Sequence, residues 1–150
     1  MHILIIAQFF PPDFGGASTR AYNVAKGLTL QGCKVTVVCG FPHYPHGKIP
    51  SKYGRKFSVK EKMDNIDLIR TWVPSVPHTS NFNRLRSHFG FVFSSFLGSL
   101  KVNNFDINKI KIIVGLIYLN MSPLHQEPFD KLLFCLSKEF LLKGLGNLNN

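Results

Sequence analysis

Acidic residues are scarce in this chain. Eight Asp and Glu stand against 18 Lys and Arg over 150 residues, a formal charge of +10. Such a field attracts anions in general, whether nucleic acid, acidic headgroups or nucleotide sugars, without choosing among them. The excess lies mainly up to Arg86, where only Asp13, Glu61, Asp64 and Asp67 oppose the basic residues. Long runs of like charge are absent, so there is no basic tail of the kind that grips nucleic acid, and no nucleic-acid partner is expected. The cysteines Cys33, Cys39 and Cys135 are odd in number and unpaired in spacing, which excludes a disulfide framework and fits a reducing setting. Cys33 and Cys39 read as small buried apolar residues bracketing a strand. No apolar stretch reaches membrane-spanning length. The nearest, Phe89 to Leu100, is interrupted by Gly90, Ser94, Ser95 and Gly98. The first apolar run is short, lacks a basic flank and ends in Pro11-Pro12, so no signal peptide is expected and the location reads as cytoplasmic. Several chemistries are missing outright. There is no Gly-x-Gly-x-x-Gly after the first strand, no Gly-Lys-Ser/Thr loop, no Gly-x-Ser-x-Gly and no convincing pair of catalytic carboxylates. His43 and His46 have no nearby cysteine pair to complete a zinc site, so no metal is expected. No internal repeat is present.

What remains is a chain that is 45% hydrophobic and 17% charged, able to bury a core of ordinary size. Ile3 to Ala7 reads as a central parallel strand, apolar on both faces. It runs into Phe9-Phe10-Pro11-Pro12-Asp13-Phe14-Gly15-Gly16. Ala17, Ala21, Val24, Ala25 and Leu28 then recur at helical spacing, and Gly32 sits where a left-handed cap belongs. Val35 to Cys39 is a second strand. A strand that empties through paired glycines into a helix start makes a corner that faces anions, since backbone N–H groups and the helix dipole point at it. Gly40 to Tyr53 is a loop punctuated by Pro42, Pro45, Gly47 and Pro50. Phe57 to Lys62 and Ile66 to Val73 read as strands joined at Asp64-Asn65, with Pro74 and Pro77 ending the second. Asn81 to Leu100 reads as a helix whose apolar face is Leu85, Phe89, Val92, Phe93, Phe96, Leu97 and Leu100. Phe91 falls off that face, and Gly90 and Gly98 weaken the helix. Beyond it, Asn103, Asn104 and Asn108 surround Ile110 to Leu119, which reads as one more strand. Phe129 to Leu142 reads as one more helix, followed by a Gly/Asn tail.

The segments Ile3-Leu4-Ile5-Ile6, Phe10-Pro11-Pro12-Asp13, Gly15-Gly16-Ala17 and Val35-Thr36-Val37-Val38 resemble the acceptor-side domain of family-4 glycosyltransferases. The proline-rich loop Gly40-Phe41-Pro42-His43-Tyr44-Pro45-His46-Gly47, the following Ile49-Pro50 and Tyr53, the hairpin Glu61-Lys62-Met63-Asp64-Asn65-Ile66 and the strand Ile69-Arg70-Thr71-Trp72-Val73 resemble more closely the branch of acetylfucosaminyl-type transferases that build surface polysaccharides. The resemblance covers about Met1 to Leu100. It implies an α/β fold: an open, mostly parallel, Rossmann-like sheet, the N-terminal half of a GT-B architecture, with the hairpin near Asn65 appended. It implies transfer of a sugar from a nucleotide-sugar, a co-substrate rather than a cofactor, to a polysaccharide or lipid-linked acceptor with retention of configuration.

Phe105-Asp106-Ile107 and Ser122-Pro123-Leu124 echo the family's next motifs only faintly, and the paired-glutamate motif of its donor-binding domain is absent. The expectation is therefore a truncated or frameshifted product. Residues 1–100 would form an incomplete transferase domain, inactive alone, and residues 101–150 an atypical tail, out of frame or poorly ordered.

The resemblance places Gly15 and Gly16 over the donor phosphate, where main-chain N–H groups meet charge developing on the leaving diphosphate. A plain strand-to-helix turn is the alternative. Arg20 is a candidate phosphate clamp or an exposed helix arginine. Ser18 touches ligand or caps the helix. His43 and His46 bind an acceptor, shuttle a proton, or simply face solvent. No catalytic residue is assigned. The phenylalanine-rich helix Phe89 to Leu100, preceded by Arg84 and Arg86, either packs on the sheet or docks on an anionic membrane, which would make the protein peripheral at the inner face of the plasma membrane. An alternative function is a non-catalytic module that binds anions or membrane surfaces through its positive field.

Overall fold

The computed structural model describes residues 1–44, 46–74, 81–102, 106–124 and 127–146. Pro45, Pro77, the connectors Asn103 and Asn104, Phe105 and the tail from 147 fall outside the described residues, as does the side chain of Arg84. The chain divides into two compact units, Met1–Ser99 and Leu100–Asn150.

The first unit is α/β. It contains β1 (His2–Ala7), α1 (Gly16–Leu30), β2 (Lys34–Gly40), β3 (Ser58–Met63), β4 (Ile66–Thr71) and α2 (Asn81–Ser99). Its single described sheet has the order β1-β2-β4-β3. β1 pairs with β2 and β2 with β4 in parallel, while β3 runs antiparallel to β4, so the sheet is mixed and mostly parallel. The β3–β4 connection is a two-residue turn in which Asp64 and Asn65 both take positive φ, 47° and 64°. That is the primed geometry whose twist matches a hairpin, and Asp and Asn tolerate it. Tyr22 of α1 donates to the Asp64 carboxylate and ties the helix to this turn.

Two expectations about the sheet and α1 are corrected. β1 is an edge strand with one neighbour, and all of its residues are only partly buried. β2, expected beside it, takes the central place, with Val35, Val37, Val38 and Cys39 fully buried. In α1 the buried positions are Ser18 and Ala25, with Ala21, Tyr22 and Leu28 packed on the core, whereas Ala17 is exposed and Val24 is 57% exposed. Tyr22 supplies more apolar area than alanine can, so the helix turns to bury its ring against Phe10. Gly32, with φ +80°, follows the end of α1 as the spacing predicts.

The packing of α2 departs further from its apolar pattern. The buried face is Leu85, Ser87, Phe91, Val92, Ser94, Ser95, Gly98 and Ser99, while Phe93 is 61% exposed and Phe89, Phe96 and Leu97 are half-buried. The reason is steric. A Cβ added at Gly98 would lie 2.5 Å from Thr71 Cγ2 and 3.3 Å from Val38 Cγ1, and one at Gly90 would lie 2.3 Å from Pro74 Cδ. Gly90, Ser94 and Gly98 form one stripe at four-residue spacing, so α2 lies close on β2 and β4 through its smallest residues. Ser94 Oγ donates to Thr71 Oγ1 at 3.1 Å across that contact. The glycines that lower helix propensity are the ones that allow this approach.

The second unit is a helical pair, α3 (Ile107–Met121) and α4 (Phe129–Leu145). Ile110 to Leu119, expected as a strand, lies inside α3. Asp106 caps α3 by accepting from Asn108 N at 2.8 Å. Ile110, Val114, Tyr118 and Leu133 are buried, and the Tyr118 and Phe140 rings lie 5.8 Å apart. Burial pushes the Tyr118 hydroxyl up to about 12. Among the described residues no helix is long and apolar enough to cross a membrane.

Gly98→Ala is expected to destabilise the fold by roughly 1–3 kcal/mol through overpacking. Gly27→Ala, whose Cβ meets nothing within 4 Å, should stabilise it by about 0.5–1 kcal/mol. Urea unfolding of the two variants checks both signs.

Candidate functional site

The candidate site is built where the chain leaves the carboxyl ends of β1, β2 and β4, the side of an open α/β sheet on which ligands bind. After β1 the chain keeps contact with β2, since Gln8 O accepts from Gly40 N at 3.1 Å. Phe10 then plunges into the core with no exposed surface. This anchors one end of the Pro11-Pro12 loop, and α1 anchors the other. Between them Gly15 takes φ +116°, ψ 164°, a conformation closed to residues with a Cβ. Gly15 is the N-cap and offers no side chain, so the first N–H groups of α1 have no side-chain acceptor there. Gly15 and Gly16 are exposed and line a hollow of about 200 Å3 with Phe9, Phe14, Ala17 and Tyr44.

The proline-rich loop is held to this corner by Asp13. Its Oδ1 accepts from His43 N and Tyr44 N, both at 2.9 Å. Asp13 is 6% exposed, and its Oδ2 is buried without a partner among the described residues. His43 is buried rather than solvent-facing: it is 3% exposed and its ring stacks on Phe9. Its Nδ1 lies 2.7 Å from the Phe41 carbonyl, which only accepts, so Nδ1 carries the hydrogen. His46 is exposed. It lines a second hollow of about 500 Å3 that Asp13, His43, Tyr44 and Lys48 share. Tyr44 lines both hollows, and Asp13 lines the second.

The remaining sequence candidates are placed as follows. Arg20 is exposed, and its Nε donates to Gly16 O at 3.2 Å, so it braces its own helix beside the glycines. Ser18 does not cap α1. It sits in the first turn, 1% exposed, with its hydroxyl unpartnered among the described residues. Gly15 and Gly16 line the first hollow and His43 and His46 the second, with Tyr44 lining both, while Ser18 and Arg20 are not among the residues that line either. Among the described residues no three His, Cys, Asp or Glu are grouped to hold a metal ion.

A buried charge, unmarked as a site residue by the sequence reading, underlies this arrangement. Arg70 on β4 is 1% exposed. Its Nε donates to Glu61 Oε2 at 2.7 Å, Nη1 to Cys39 Sγ at 3.7 Å and Nη2 to Pro11 O at 2.5 Å. Burial works against the guanidinium charge, but neighbouring Cys39, the Glu61 bond and Tyr53 hold its pKa above the ordinary value. Burial pushes the Cys39 thiol up to about 12, so it stays neutral. Glu61 also accepts from Tyr53 Oη at 2.9 Å. The signal was present: an arginine inside an apolar strand, with a glutamate placed diagonally across the hairpin by the Asp64-Asn65 turn. Asp13 had no such local signal, because its partners lie in another loop. Gln8 and His88 form a further polar link, with His88 Nδ1 2.6 Å from Gln8 Oε1 and Gln8 Nε2 donating to Ser87 Oγ at 3.0 Å.

Burial of Glu61 raises its pKa, and the bonds from Arg70 and Tyr53 outweigh this and leave it below 4.5. A carboxyl depressed in the fold contributes stability that is complete above its unfolded pKa and lost as pH falls through its folded one. The urea midpoint should therefore drop once pH falls below about 4.5. Glu61→Gln should lower stability at neutral pH by roughly 1.5–3 kcal/mol and make the acid limb shallower; an unchanged acid limb would contradict the assignment.

Comparison of the chain with models of protein families, with curated proteins and with solved structures finds no match.

Proposed function

We propose that this chain is the acceptor-side half of a nucleotide-sugar-dependent glycosyltransferase with a Rossmann-like, GT-B type fold, and that the Gly15-Gly16 corner receives the donor's diphosphate. The observation that carries this reading is the exposed, glycine-capped start of α1 lining a hollow beyond the carboxyl ends of β1 and β2. Main-chain N–H groups at a helix start and the positive end of its dipole suit a phosphate, and the missing Cβ at Gly15 lets the ligand approach the backbone. As charge grows on the leaving diphosphate, fixed donors there stabilise it. Arg20, whose Nε donates to Gly16 O, adds a cation to the first turn of this helix. The acceptor glycan or lipid-linked sugar lies in the second hollow, beside His46 and Lys48. The nucleotide-sugar is a co-substrate, and no residue of this chain is assigned as catalytic. The 150 residues lack the paired-glutamate motif, so binding rather than turnover is the readout.

A titration with UDP or inorganic pyrophosphate, followed by NMR, should shift the amides of residues 15–18 first. A Cβ at Gly16 meets nothing within 4 Å, and an acid in the first turn favours the helix, so Gly16→Glu should fold normally. It should weaken either ligand by about tenfold or more, roughly 1.4 kcal/mol. Equal affinity in the variant, or shifts elsewhere, sinks the proposal.

A second reading is favoured by the outer surface of α2, where Phe82 is 65% and Phe93 61% exposed beside exposed Arg86. In this reading the helix rests on an anionic membrane surface, as suits a lipid-linked acceptor. Phe93→Ser costs the fold little at that exposure and should reduce co-sedimentation with phosphatidylserine vesicles several-fold. Unchanged sedimentation removes this reading.

A further inference from the structure

A third hollow, of about 460 Å3, lies outside the corner described above, between the 51–57 turn and the end of β4. Its floor is apolar: Phe41 and Tyr53 are 1% and 2% exposed, and their rings stack 4.7 Å apart. Its rim carries two large exposed aromatics, Trp72 and Phe57, each 41% exposed. These two continue the β3–β4 ladder by one step, since Trp72 N donates to Phe57 O at 2.8 Å, so they stand opposite each other on neighbouring strands. The Trp72 ring is backed by α2, since a Cβ at Gly90 would lie 3.5 Å from its Cζ3. The same rim holds Arg55 and Lys56, both exposed and with no ion pair to any described residue. The adjacent carboxylate, Glu61, is already engaged by Arg70, Tyr53 and Lys52. Arg55 is held in a left-handed conformation, φ 59°, which non-glycine residues adopt rarely and which clusters at functional positions. The turn bonds Gly54 N to Ser51 O at 2.9 Å and Lys56 N to Tyr53 O at 3.2 Å fix the backbone on either side.

We propose that this hollow is a binding site for a uronic acid residue of a glycan chain. The volume is that of a small-molecule site. Aromatic faces receive the C–H face of a pyranose, while the ring hydroxyls and carboxylate stay at the wet rim. The guanidinium fork of Arg55 matches a carboxylate, and Lys56 adds a second positive charge. Charge complementarity selects an acidic ring over a neutral one. Two cations at one rim of a walled hollow do not form the continuous backbone track that single-stranded nucleic acid requires. The proposal is independent of the glycine loop.

Trp72 is the sole tryptophan of the chain, so its fluorescence reports on this hollow alone. Titration of the full chain with trigalacturonate should change its emission saturably. Maltotriose and an oligothymidylate should bind about tenfold more weakly or not at all. The double variant Arg55→Gln/Lys56→Gln changes only exposed side chains, and circular dichroism verifies its fold. It should lose about tenfold in affinity for trigalacturonate, and Gly16→Glu should leave this binding unchanged, which separates the site from the diphosphate corner. No saturation at millimolar trigalacturonate, equal affinity in the double variant, or tighter binding of oligothymidylate would overturn the proposal.

Discussion

The guanidinium of Arg70 is the hub of the first unit. It sits on β4, pairs with Glu61 on β3, donates to the Cys39 sulfur on β2 and reaches the Pro11 carbonyl beyond β1. One side chain thereby joins three strands and the loop that leaves the fourth. A buried charge is tolerated only where its partners satisfy it. The cost of burying Arg70 therefore constrains the path of the Pro11-Pro12 loop, and with it the position of Gly15 and the start of α1. Asp13 extends the constraint to the neighbouring loop through the amides of His43 and Tyr44. The glycine corner is thus held in place by buried charged groups, Arg70 and Asp13, that are not among the residues lining its hollow.

Close backbone approach is the second constraint. α2 packs on the sheet through Gly90, Ser94 and Gly98 rather than through its phenylalanines, because the small residues let the helix lie near Thr71 and Val38. Burying Phe91 and Val92 beside that stripe leaves Phe93 outside. The exposed aromatic surface of α2 follows from the packing choice. Trp72 is backed by the same helix at Gly90, so one close contact shapes both the outer face of α2 and the rim of the aromatic hollow.

The three hollows differ in character. The hollow at Gly15 and Gly16 is bordered by a helix start and, among the described residues, by no carboxylate. The second is lined by Asp13, His46 and Lys48. The third has an aromatic floor and a rim carrying Arg55 and Lys56, which have no ion pair among the described residues. The ligands proposed for them are in turn a diphosphate, a hydroxyl-bearing acceptor and an acidic ring, and the net positive charge of the chain favours anionic ligands.

By itself the sequence determined the local elements. β1, α1, β2, β3, β4 and α2 were legible because strand alternation, helical spacing, Gly32 and the Asp64-Asn65 turn act over a few residues. The exposed glycine corner was legible for the same reason. Tertiary structure decided what depends on distant partners. It put β1 at an edge, turned α2 onto its small residues, made a helix of Ile110 to Leu119, buried His43 and gave Asp13 and Arg70 their partners. Local hydrophobic pattern cannot foresee these outcomes. Close packing and the satisfaction of buried charge are set by residues far apart in the chain, and their energies exceed the small preferences that a periodicity expresses.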